Sequence, residues 1–279
     1  MMSDSPPIVQ LEALSLSASG RTLSAEIFSG ESYAVMGPSQ SGKTHFLKVL
    51  AENEKPIRGT AKVNGPVSQA HDKEYSRRAT PAALAKTFSK GTETSQIVQV
   101  LTSLNLWELK DQLVQKLTPS QSVLTDLLPC FLSESQLVVI DGHLDYIDPW
   151  TLEDVLDLIE AHKAQGKSFI VATSRPDSAE QLGNIIVFKA GVPKFIGTIK
   201  ELVESSQPVS MTVHVDDSST VLNVVDPFVV SISATKKMIE LTSHQGQELA
   251  ALLLTKGYGN VKSIIIRPQT IEEALKSIF

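Results

Sequence analysis

The chain has 279 residues, 42% hydrophobic and 20% charged, a globular balance with material for one large domain or two. A formal charge of −6 argues against nucleic acid as a partner, because a phosphate backbone requires a basic face. The single cysteine, Cys130, excludes an intrachain disulfide and suits a reducing cytosol.

The first ten residues, MMSDSPPIVQ, hold no basic stretch followed by an apolar core, so no secretion signal is expected. No run approaches the roughly 18–20 apolar residues that span a bilayer. Work at a membrane is therefore expected to go through a partner.

In chain order, residues 32–36 (SYAVM) read as a short strand ending at a glycine, and a helical pattern, THFLKVLAE, follows Lys43. Residues 55–100 are polar and without a clear period; residues 80–128 are expected to be mostly helical. LVVI (137–140) is too short for a helix and β-branched, as a buried parallel strand requires. A helix over LEDVLDLIEAHKA follows, then Gly166, a strand over SFIVAT, a strand over NIIVFK and the turn Ala190–Gly191–Val192–Pro193. Strands separated by helices of this length predict an α/β fold with a parallel sheet and right-handed crossovers.

The pattern changes near residues 204–209 (ESSQPV). Short strands (MTVHVD, FVVSIS, MIELTS), a helix (QELAALLLTKG), a strand (VKSIIIRP) and a final helix (TIEEALKSIF) predict a small α+β domain. The expected division is therefore residues 1–205 and 206–279.

Gly37–Pro38–Ser39–Gln40–Ser41–Gly42–Lys43–Thr44 matches G-x-x-x-x-G-K-[ST], the phosphate loop of P-loop NTPases. Glycines let the backbone turn tightly so that successive N–H groups face phosphate oxygens, and the helix that follows adds its positive end. Lys43 would reach the β- and γ-phosphates and the Thr44 hydroxyl would ligate Mg²⁺. Asp141, at the tip of the LVVI strand, is placed to hold the same metal shell. ATP and Mg are the expected cofactors.

With these landmarks placed, the chain resembles an ABC ATPase, the nucleotide-binding subunit of ABC transporters. Members carry a signature LSGGQ ahead of the Walker B aspartate; here residues 117–121 read LTPSQ, 24 positions before Asp141 (141 − 117 = 24). After the aspartate the family reads DEPTSGLDP; residues 141–149 read DGHLDYIDP, keeping Asp141, Asp148 and Pro149. The family's strand ending in Thr-His corresponds to IVATS, with Thr173 and Ser174, and NIIVFKAGVPKFIGTIKEL parallels its closing strand–turn–strand. The resemblance spans residue 8 to about residue 203. Beyond it, PQTIEEALKSIF resembles the P-S-L-E-D-V-F phrase of an exporter-like branch, although a generic amphipathic terminal helix reads it equally well.

The resemblance implies a P-loop NTPase fold with a helical lobe, ATP-driven dimerisation as homo- or hetero-dimer, a membrane transport subunit, and a second ABC ATPase as partner. It also implies a cytoplasmic protein held peripherally at the inner face of the membrane. The departures from the family are chemical. Gly142 stands where members carry the glutamate that positions water, and Ser174 stands where they carry a histidine facing the γ-phosphate, so no catalytic residue is assigned. In the signature, Thr118 keeps a hydroxyl, Pro119 has no N–H to donate, and Ser120 adds bulk; Thr118, Ser120 and Gln121 remain weak contacts to a partner's nucleotide. The adenine-stacking aromatic expected near Ser19 is missing, and Gln69 is the candidate for the glutamine that links the lobes. Lys43 to Leu117 is 74 residues (117 − 43 = 74), shorter than in the family, so the lobe that docks on membrane subunits is expected to be trimmed.

Of the remaining residues, His143 and Asp145 are weighed as substitutes for the missing base. His45 reads as a helix-surface residue, and Trp107, Trp150 and Cys130 as packing residues. The expected function is an ATP-binding subunit of an ABC-type transporter complex, impaired in hydrolysis, that gates a partner by dimerising. A nucleotide-sensing assembly factor and an active ATPase with a rearranged base are the alternatives.

Overall fold

The computed structural model describes residues 6–71, 75–76, 78–89, 93–205, 209–225, 229–256, 261–267 and 270–279. The chain forms two compact units, Met1–Gly197 and Thr198–Phe279.

The first unit begins with β1 (Val9–Ser15), β2 (Leu23–Ile27), β3 (Ser32–Met36), α1 (Lys43–Leu50), β4 (Arg58–Val63) and β5 (Val67–Gln69). β1 pairs antiparallel with β2 and β4, giving a small sheet in the order β2-β1-β4. The helical lobe comprises α2 (Pro81–Phe88), α3 (Thr94–Ser103), α4 (Pro119–Asp126) and α5 (Leu128–Leu132), with 3₁₀ turns at Trp107–Leu109 and Val114–Lys116. Next come β6 (Leu137–Asp141), a 3₁₀ turn at His143–Tyr146, α6 (Pro149–Lys163), β7 (Ser168–Ala172), α7 (Pro176–Leu182), β8 (Asn184–Lys189) and β9 (Val192–Thr198). The main sheet has the order β5-β6-β7-β3-β8-β9, with parallel pairing from β5 through β8.

Every residue of β3 and β7 is buried, as is Leu137–Ile140 of β6, which is why these strands carry unbroken apolar runs. α1 packs between the two sheets, against β4 on one side and β6 and β7 on the other. Its buried face is Phe46, Leu47, Val49 and Leu50. Phe46 meets Phe188 of β8 with ring centroids 5.1 Å apart. Burying each such side chain contributes about 1.5–3 kcal/mol, so this helix, and the loop leading into it, is held firmly in place. The first unit therefore has the expected parallel sheet; β1, β2, β4, β5 and α7 are elements that the sequence pattern did not announce. Cys130 is buried in α5, and burial pushes its thiol well above the usual range, as a packing residue requires.

The second unit contains α8 (Ile199–Ser205), β10 (Val209–His214), α9 (Ser219–Val225), β11 (Ser231–Ala234), β12 (Met238–Ser243), α10 (Gly246–Lys256), β13 (Ser263–Arg267) and α11 (Ile271–Ile278). From β10 to β13 the order is βαββαβ, on an antiparallel sheet β11-β12-β10-β13, the ferredoxin-like arrangement. Its core joins Met211, Val213, Ile239 and Leu241 to Val221 and Val225 of α9 and Leu249 and Leu253 of α10. α8 packs with α11 and so belongs to this unit. Of the expected elements here, Phe228, Gly257, Pro268 and Gln269 lie outside the described residues.

Candidate functional site

Residues 37–42 connect β3 to α1, and their conformation is unusual in a specific way. Gly37, Gln40 and Gly42 have φ of 149°, 62° and 104°. Left-handed residues alternating with ordinary ones turn successive backbone N–H groups toward one centre, the geometry of an anion nest. A Cβ on Gly37 would stand 2.2 Å from the Phe188 carbonyl oxygen, so only glycine fits there. The loop is anchored from outside: Gly191 N–H donates to Ser41 O at 2.8 Å, and Leu16 N–H to Gly191 O at 3.1 Å. Pro38, Ser39, Gln40 and Thr44 are exposed. The Ser41 hydroxyl is buried and has no hydrogen-bond partner among the described residues.

Lys43 Nζ donates to Gly37 O at 2.7 Å and Pro38 O at 3.0 Å, which holds the ammonium at the mouth of the loop. Burial pushes its pKa down, while the carboxylates of Asp141 and Asp145 pull it back up. A glycine cradle, an orphaned hydroxyl and a half-buried ammonium form a site shaped for phosphate.

Asp141 ends β6, exposed, in register with Ala172 of β7. Gly142 follows with φ 72° and ψ −3°, its N–H donating to Ala172 O at 2.9 Å. Open space surrounds the position that a Cβ would take there. The backbone has thus adopted a conformation that L side chains avoid, so Gly142 is more than a truncated glutamate.

The two substitute bases are both tied up. The ring nitrogens of His143 lie 3.0 Å from Asp141 O and 3.1 Å from His71 O, and a neutral ring, with one N–H, donates to one of these carbonyls. Asp145 is linked to the far end of β7. Its Oδ1 accepts from Thr173 Oγ1 at 2.6 Å, its Oδ2 from Ser174 Oγ at 2.8 Å, and both oxygens lie 3.1 Å from Ser174 N. Ser174 therefore faces Asp145. The same loop is tethered again by Arg175 Nη1, which donates to Ile147 O at 2.8 Å. Sequence alone offered Asp145 only as a carboxylate near Asp141; the 28-residue separation from Thr173 hides the partnership.

In the signature segment, Thr118 caps α4 in a capping box. Gln121 N–H donates to Thr118 Oγ1 at 3.3 Å and Thr118 N–H to Gln121 Oε1 at 3.0 Å. Pro119 is the first helical residue, where a backbone N–H has no helical partner in any case. Ser120 beside it is half-buried. Gln69 ends β5, adjacent to β6, and its side chain accepts from Asn53 Nδ2 at 3.4 Å. Next to the phosphate loop stands buried Leu16, whose methyl lies 3.4 Å from the Cβ position of Gly42.

A cavity of about 650 Å³ opens beside Asp141 and His143 and reaches Tyr75, Gln115, Ser122 and Asp126 of the lobe side. Trp150, expected as a packing residue, is 80% exposed, and neighbouring Tyr146 is 74% exposed. The correction has a simple cause: Trp150 sits in the first turn of α6, whose core contacts come from Leu152, Val155 and Leu156 instead. Trp107 is half-buried with Lys110 Nζ 4.8 Å over its ring. His45 bonds Lys55 O at 3.1 Å on the surface of α1. Among the described residues, no side-chain cluster could hold a metal ion unaided and no helix is long and apolar enough to cross a membrane.

Comparison with known proteins agrees with this geometry. Residues 21–144 match the family model described as ABC transporter. The chain is 27% identical over 189 residues to the taurine import ATP-binding protein TauB of Pseudomonas aeruginosa, covering 62% of this chain and 72% of that one. It is 21% identical over 272 residues to the Nod factor export ATP-binding protein I of Mesorhizobium japonicum, covering 90% and 79%. Among solved structures, a dimeric ATP-binding cassette in a post-hydrolysis state bound to ADP and Pi superimposes with a TM-score of 0.59 at 16% identity, covering 68% and 98%. Residues 21–144 thus resemble the ABC transporter family model, and the first unit has the ABC ATPase fold.

Proposed function

We propose that the chain is the ATP-binding subunit of an ABC-type transporter complex, impaired in hydrolysis, which gates its partners through nucleotide-dependent dimerisation. The observation that carries this reading is the contrast between two neighbouring loops. The phosphate loop keeps its cradle, its lysine and its hydroxyls. Gly142, one residue past Asp141, offers only open space where a water-positioning side chain belongs.

In this reading the N–H groups of residues 39–44 and the Lys43 ammonium bind the phosphates of ATP, and Thr44 and Asp141 hold the Mg²⁺. Magnesium supplies charge neutralisation on the phosphates, and the chain supplies the rest by position. His143 and Asp145 are spent on protein contacts, which argues against a rearranged base. With no aromatic near Ser19, adenine lacks a stacking partner, so discrimination of ATP from GTP is weak.

The matched relatives include both an import and an export ATP-binding protein, and a matched structure is a dimer. The export relative is covered over 272 residues, which favours an exporter-like branch. A second ABC ATPase and a membrane transport subunit are the partners, as homo- or hetero-dimer, with the chain held peripherally at the inner face of the membrane. Titration calorimetry with MgATP tests the core of the reading. Replacing Lys43 by alanine removes the loop's ammonium and weakens binding at least about tenfold, or about 1.4 kcal/mol. Equal affinity of wild type and Lys43→Ala overturns it.

A further inference from the structure

The first unit has a second polar cavity, at the end of the main sheet away from the phosphate loop. Two adjoining hollows, of about 280 and 190 Å³, share Glu134, His162, Gln165 and Lys167. β7 starts at Ser168, next to Lys167, and runs five residues before Thr173. At ~3.3 Å per residue the cavity therefore lies about 16 Å from the nucleotide edge.

Lys167 is half-buried in the cavity wall. Its Nζ donates to Ser133 O at 2.8 Å and Cys130 O at 3.3 Å, carbonyls at the end of α5. Two acceptors leave one N–H of the ammonium over. No carboxylate among the described residues offsets the charge, and burial pushes the Lys167 pKa down. His162 adds no cation: burial chiefly, with the charge of Lys167, pushes its pKa down, and its Nδ1 lies 2.8 Å from Leu158 O. The Ser133 hydroxyl in the same wall is buried and has no partner among the described residues. Glu134 lines both hollows, exposed, and is not paired with Lys167. Val100, Phe131 and Leu132, all buried, give the larger hollow an apolar side.

We propose that this cavity binds a small zwitterion of the α-amino-acid class, with its carboxylate on Lys167 beside Ser133, its ammonium on Glu134, and its side chain on Val100, Phe131 and Leu132. A partly desolvated ammonium without a counter-ion is costly, and a ligand carboxylate supplies both the missing charge and an acceptor for the spare N–H. A simple anion meets Glu134 as a like charge, and a simple cation meets Lys167 as one. Two opposite charges that line one cavity without neutralising each other therefore select a molecule that carries both. Occupied, the cavity joins α3 and α5 of the lobe to α6 and β7 of the sheet.

The test is calorimetry on the full chain with each of the common L-amino acids, and with acetate and methylammonium as single-charge controls. At least one amino acid is expected to bind in the millimolar range or tighter, with both controls at least about tenfold weaker. Lys167→Met removes the ammonium and weakens the bound amino acid at least about tenfold. Should Lys167→Met fail to fold, Ala161→Trp carries the test. Ala161 is exposed on α6 at the rim of the larger hollow, so the indole fills the cavity without disturbing the core and weakens binding by a similar factor. Lys43→Ala leaves amino-acid binding unchanged, because the phosphate loop is at the other edge. Binding of no amino acid overturns the proposal, as does acetate binding as tightly as the best of them. Undiminished binding by Ala161→Trp, or its loss in Lys43→Ala, places the ligand elsewhere and overturns it too.

Discussion

Gly142 allows a worked prediction, because its backbone and its surroundings point in opposite directions. Nothing lies within 4 Å of a Cβ built there, so an alanine methyl meets no neighbour. Its φ of 72° is the obstacle: a left-handed conformation costs an L residue about 1–2 kcal/mol. Gly142→Ala is therefore expected to lower stability by about 1–2 kcal/mol, and for a unit of this size each kcal/mol moves Tm by about 2–4 °C. Gly142→Asn loses less, since asparagine tolerates the left-handed region. Gly142→Glu carries the same strain as alanine and adds the missing carboxylate. A positioned base is worth about 10²–10⁴ in rate. Strain of about 1–2 kcal/mol dilutes the competent geometry about 5–30-fold, so Gly142→Glu alone recovers only part of that range. Adding Ser174→His, which also releases Asp145 from a hydroxyl, and then Pro119→Gly extends the recovery stepwise. Chemical denaturation reads the stability of Gly142→Ala, and phosphate release, with Lys43→Ala as background, reads turnover. A Gly142→Ala protein as stable as wild type refutes the backbone argument. Lys43-dependent hydrolysis by the unmodified protein at rates typical of transporter ATPases refutes the catalytic one.

Two further outcomes follow from single contacts. Thr118→Ala removes the cap of α4 and is expected to cost about 1 kcal/mol in urea denaturation, with Thr118→Ser restoring most of it; equal stability of Thr118→Ala and wild type rules out the capping role. Glu273 is held by a bidentate contact from Arg267, at 2.9 Å on both oxygens, which lowers its pKa from the usual 4.5 to about 2. Because the folded value is depressed, its contribution is present above pH 4.5 and is lost as the pH falls toward 2. As a largely solvated pair it contributes about 0.2–1 kcal/mol, so the stability gap between wild type and Glu273→Gln should close over that window; a gap independent of pH refutes the assignment.

The parts of the molecule legible in sequence are those set by contiguous residues. β3, β6, β7 and β8 are buried on both faces, and their unbroken apolar runs record it directly. The phosphate loop is likewise local: its glycines, lysine and threonine are neighbours in the chain, and the strand before it and helix after it are strong patterns. β1 and β4 were not legible, for a physical reason. A register shift between Leu11 and Leu14 breaks the two-residue alternation of β1, and β4 lies at the edge of its sheet, so RGTAKV stays largely exposed. α9, written STVLNVV, is β-branched and takes its helical form from packing Val221 and Val225 into the second core.

The site divides in the same way. That Gly142 lacks a base and Pro119 lacks an N–H is plain from residue identity. Tertiary structure alone decided that Gly142 sits in a left-handed turn, that Pro119 opens a capped helix, and that Asp145 answers to Thr173 and Ser174. Those contacts join the end of β6 to the end of β7, strands adjacent in the sheet but separated in the chain by all of α6. Parallel pairing brings their carboxyl ends to one edge, and no local pattern can record which side chains meet across it.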